Sequence, residues 1–64
     1  MRRMNNMLHF YISYHYFDNE FDVDEDKAFP TYDAMAAYVA LLRRTGAYDI
    51  LVYDKQTGEK VTWL

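Results

Sequence analysis

The chain has 64 residues, seven basic and ten acidic, a formal charge of −3 and no cysteine. That length makes one domain and excludes a second. The missing cysteine excludes a disulfide scaffold, a thiolate zinc site and a thiol nucleophile. No run of about 18 apolar residues predicts a membrane span. The basic start Met1-Arg2-Arg3-Met4-Asn5-Asn6-Met7, followed by the apolar Leu8 to Phe17, has the outline of a signal peptide. His9, Ser13 and His15 interrupt it, however, and no small-residue cleavage site follows, so the expected compartment is the cytoplasm.

Residues 1–7 show no helix or strand period and are expected to be a flexible N-terminus. Residues 8–64 should form a single α+β domain. Leu8 to Phe17 is rich in Tyr, Phe and Ile and reads as a strand. Leu8, Phe10, Ile12, Tyr14 and Tyr16 make its better core face. Asp18-Asn19 is a turn signal. Phe21-Asp22-Val23-Asp24 alternates with period two, so residues 18–29 read as an acidic turn with either a short edge strand, its acids outward, or a loop with a short extended piece.

The helix is predicted over 32–45. Thr31 is a good N-cap, and Pro30 before it discourages an earlier start. Asp33 suits the first turn and Arg43 and Arg44 the last. Met35, Tyr38, Val39 and Leu42 fall at helical spacing, and Gly46 is a natural residue to end on. Tyr48–Asp54 reads as a strand and Glu59–Leu64 as another, joined by Lys55-Gln56-Thr57-Gly58 into a hairpin over 48–64. The expected fold is one helix on a three- to four-stranded, mostly antiparallel sheet, in the order β-(β)-α-β-β.

Such a sheet should be greasy on one face and polar on the other. Here the alternation leaves Tyr11, Phe17, Leu51 and Tyr53 together on the face opposite the core set. Seven Tyr, four Phe and one Trp are a heavy aromatic load for this length. A monomer rarely exposes an apolar patch beyond a few hundred Å². A symmetric homodimer is the commonest way to cover one, so these four residues are the expected dimer face.

Charge is also segregated. Asp18, Glu20, Asp22, Asp24, Glu25 and Asp26 are six of the ten acids, and the rest of the chain carries seven bases and four acids. This exposed acidic segment is the expected recognition surface of a small, non-catalytic protein-interaction module. An alternative is a phage-type acidic inhibitor that mimics nucleic acid and binds a basic host protein through fast, salt-sensitive association. A second alternative is a weak calcium module. Asp22, Asp24, Asp26 and Asp33 match positions 1, 3, 5 and 12 of a calcium loop, although Lys27 stands where glycine is needed. Apart from that, no metal ligand set and no cofactor are expected.

His9 and His15 share a strand face but lie about 20 Å apart, too far for one chelate. Tyr11, His15 and Phe17 have the makings of a base-stacking platform, but the acids that follow would repel a phosphate backbone, so no direct nucleic-acid contact is expected. Ser13 is the lone serine and no glycine-rich phosphate loop exists, so no enzymatic activity is expected. The stretch Phe29-Pro30-Thr31-Tyr32 with Ala47–Asp54 and Thr57-Gly58-Glu59 resembles many small bacterial and phage proteins. That resemblance implies a capped helix, a strand and a hairpin. The C-terminal hairpin resembles that of phage uracil-DNA glycosylase inhibitors, which are small acidic DNA mimics, but no inhibitory motif matches and no residues carry over.

Overall fold

A computed structural model describes residues 7–18 and 20–64. Its elements are β1 (Leu8–His15), β2 (Val23–Phe29), α1 (Tyr32–Arg44) and β3 (Tyr48–Asp54). They form one three-stranded sheet in the order β2-β1-β3, with β1 antiparallel to both neighbours. The outer strands therefore run the same way, and α1 is the crossover between them. The order β-β-α-β and the single helix packed on an antiparallel sheet agree with the sequence reading. The flexible N-terminus expected for 1–7 falls, except for Met7, outside the described residues.

Alternation along β1 decides which face meets the helix. Phe10, Ile12 and Tyr14 are buried, and Val52 of β3 joins them. From the helix come Met35, Val39 and Leu42, spaced so that one stripe faces the sheet. The Thr31 hydroxyl caps α1 by accepting the Ala34 N–H at 3.0 Å. At the other end the Ala47 N–H donates to Leu42 O at 2.9 Å and the Gly46 N–H to Arg43 O at 3.1 Å. Gly46, at φ 106°, adopts the left-handed turn that this arrangement requires. Ala47 follows it into the core beside Leu42.

Three expectations need correction. First, β1 stops at His15 rather than Phe17, because Tyr16 and Phe17 leave the ladder on the way to the turn. Second, of the strand and the loop left open within 18–29 the structure has the strand, and it is longer than expected: 23–29 is a full edge strand, paired from Leu8↔Phe29 to Tyr14↔Val23. Third, 59–64 is not a strand of its own. It touches β3 through a single bridge, Tyr53↔Lys60, flanked by Asp54 N–H to Glu59 O and Val61 N–H to Val52 O. The Asp54 carboxylate accepts from the Gln56 backbone and side chain, and this tightens the turn that brings the segment back. Beyond Val61 the chain departs toward the helix start, where Trp63 packs edge-on against Tyr32.

Candidate interaction surface

The face opposite α1 is built by the odd residues of β1. Tyr11 stands between Asp26 of β2 and Tyr53 of β3, and Ser13 between Asp24 and Leu51. The Tyr11 and Tyr53 rings lie 6.4 Å apart. Further along, His15 stacks on Tyr48 at 5.5 Å, and Phe17 stacks on the same ring at 4.9 Å. Among the described residues no element covers this strip. Phe17 is 90% exposed, and Tyr48, Leu51 and Tyr53 are each more than a third exposed. Tyr11, Phe17, Leu51 and Tyr53, expected together from alternation, do share this side of the molecule.

Tyr48 joins them through a fault in the ladder. Simple alternation would put it with Ile50 and Val52 on the helix side. Instead β3 carries a bulge: Ser13 faces Leu51 but His15 faces Tyr48, so β3 spends one extra residue there. Asp49 takes that place at φ 53°, a left-handed conformation that Asp tolerates better than most side chains. The bulge turns Tyr48 over to meet His15. The only sequence signal for it is an aspartate two residues into an otherwise apolar strand.

The six acids do not form one surface. Glu25 faces the other way, because it sits opposite buried Ile12. Its two oxygens accept from the Tyr14 and Tyr38 hydroxyls, both at 2.5 Å. Burial, together with donation to Glu25, holds both phenols above their ordinary pKa. Lys27 lies over the Tyr38 ring at 5.1 Å on the same side. Glu25 is therefore a latch between β2 and α1 rather than part of an exposed recognition segment.

The acids that do face the open side are engaged with their neighbours. Asp22 meets His15 Nε2 at 3.1 Å. Asp26 meets Lys55 Nζ at 3.3 Å, an ion pair that spans β1 from the far strand. The Asp24 carboxylate lies beside the Tyr11 hydroxyl and raises the phenol's pKa. Asp18 and Glu20 lie in the connection from β1 to β2, and both are exposed.

The calcium reading fails on geometry. Asp24 and Asp26 are on an extended strand and Asp33 is in the first turn of α1, so no loop wraps a common centre. Among the described residues no group of three or more His, Asp or Glu could hold a metal ion. Among them, too, no helix is long and apolar enough to cross a membrane.

Comparison with known protein families, curated proteins and solved structures finds no match to this chain.

Proposed function

We propose that the chain is a non-catalytic interaction module whose sheet face binds a second copy of itself. The observation that carries this reading is the strip Tyr53–Tyr11 and His15–Tyr48–Phe17 on the side of the sheet away from α1. Rings in such a row are the kind of surface that gains most from being covered.

The charges favour a like partner over a strongly basic one. Asp22 and Asp26 each have a cationic or imidazole partner on the same face, and Asp24 lies beside the Tyr11 hydroxyl, so the surface is aromatic and largely compensated from within. A two-fold axis parallel to the strands would lay β2 of one copy over β3 of the other. By the register through β1, Asp26 of one copy would then lie over Tyr53 of the other and Asp24 over Leu51, with the rings of β1 at the centre. The nucleic-acid-mimic alternative needs free carboxylates in a row, and this engagement leaves Asp18 and Glu20 as its main support.

Tyr53→Glu tests the reading. It places a charge at the centre of the strip and should convert a dimer to a monomer in gel filtration with light scattering. Leu41→Glu, on the exposed side of α1, should leave the mass unchanged. A dimer that survives Tyr53→Glu puts the contact elsewhere.

A further inference from the structure

A second feature lies on the helix side, at the end of β3. Asp54 is the one buried charged residue of the described chain, 5% exposed. Its carboxylate accepts from the Tyr32 hydroxyl at 2.7 Å, from the Gln56 N–H at 2.9 Å and from the Gln56 side-chain amide. All of these donors are neutral. Among the described residues no Lys, Arg or His pairs with it. The Tyr32 bond, reinforced by the turn amides, keeps the group below the ordinary carboxylate range, so it is an anion at neutral pH.

This uncompensated anion lies beside an open cleft of about 520 Å³, walled by Tyr32, Val61 and Trp63. The Tyr32 and Trp63 rings meet at 68° with centroids 6.2 Å apart, forming a corner. Trp63 is 59% exposed and Tyr32 42%, so both rings present surface to the cleft. Glu59 also lines it. Lys60 is directly opposite Tyr53 in the bridge, and opposed residues of an antiparallel pair share a face. Lys60 nevertheless lines the cleft as well, so Asp54 and Glu59 stand there against one base and the balance of charge is negative.

We propose that this cleft binds a guanidinium group, either on a free small molecule or on an arginine side chain of a protein. A guanidinium is flat, delocalised and weakly hydrated, so it stacks on an aromatic face while donating to a carboxylate. In the cleft, the Trp63 and Tyr32 rings supply the stacking walls. Glu59 supplies the acceptor, and Asp54, its oxygens already occupied by the turn, supplies negative charge at short range. This site is separate from the sheet face and stands or falls independently of the dimer.

Trp63 is the only tryptophan, so its fluorescence reports on the cleft alone. The full chain is titrated with N-acetylarginine amide at constant ionic strength, and in parallel with the neutral isostere N-acetylcitrulline amide. The expected result is a saturable change for the arginine derivative, with half-saturation at about 1–20 mM, and none for the citrulline derivative. Asp54→Asn should abolish binding. Because that variant also loosens the turn, Glu59→Gln is the companion: it keeps the fold and should weaken binding about two- to fivefold. A Gly-Arg-Gly peptide that binds more tightly than the amide assigns the group to a protein chain, and equal affinity assigns it to a small molecule. No saturable change with the arginine derivative, or an equal one with citrulline, would overturn the proposal.

Discussion

The two faces of the sheet use the same kinds of residue for opposite purposes. On the helix face Phe10, Ile12 and Val52 are essentially buried, and the polar groups there are few and paired. Glu25 is the clearest case, held by two tyrosine hydroxyls between β2 and α1. On the other face Tyr11, Tyr48 and Tyr53 pack ring on ring in the open, with Asp22, Asp24 and Asp26 along the edge. A tyrosine satisfies either requirement, because its ring is apolar and its hydroxyl is a donor. What separates the faces is whether a second layer covers the rings. One layer is α1. The dimer proposal supplies the other.

The comparison breaks most sharply under core truncation. Phe10→Ala should cost about 3–5 kcal/mol, which approaches the whole stability of a domain this small. Thermal melts should show it largely unfolded at room temperature. Leu51→Ser, on the open face, should leave the monomer fold intact in the same melts. Similar losses for the two would mean that the faces are not distinct.

Glu25→Ala comes next. It strands two hydroxyls between β2 and α1, and a buried polar group without a partner costs about 1–3 kcal/mol. Chemical denaturation should register that loss, whereas Asp24→Ala, one residue away but facing out, should stay near the parent. The same latch makes stability fall at high pH. Tyr14 and Tyr38 are held protonated in the fold, while in the unfolded chain they ionise near 10. Their contribution is complete below pH 10 and is lost as the pH rises above it. Melting temperatures taken from neutral to strongly alkaline pH should decline beyond that point, and less steeply for Tyr14→Phe.

The bulge gives a smaller effect. Asp49→Val places a β-branched residue at φ 53° and should cost about 1–2 kcal/mol in denaturant. Asp49→Gly should be neutral or slightly stabilising. If valine is tolerated without loss, the bulge does not hold Tyr48 against His15.

Much of this arrangement was legible in the sequence. The cap at Thr31, the stripe Met35–Val39–Leu42 and the alternation of β1 follow from local rules, and each agrees with the structure. Tyr11, Leu51 and Tyr53 are on the open face because period two holds along both strands there, whereas Phe17 lies beyond the end of β1 and reaches that side by stacking on Tyr48. Two features escaped for the same reason: they break or hide a period. The six acids read as one charged run, although alternation alone would have turned Glu25 inward. Tyr48 was absent from the expected open face, because a one-residue bulge leaves almost no mark on composition. The last hairpin strand was over-read. Val61 and Trp63 have strand propensity, but propensity does not reveal that pairing ends after a few residues and that Trp63 has a better contact in Tyr32.

The central claim is that the open aromatic face is covered by a second copy. The most direct test is the solution mass of the unaltered chain by light scattering after gel filtration, across a hundredfold range of concentration. A dimer mass that holds at the upper concentrations is the expected result. A monomer at every concentration would contradict it and leave the aromatic strip to a different partner.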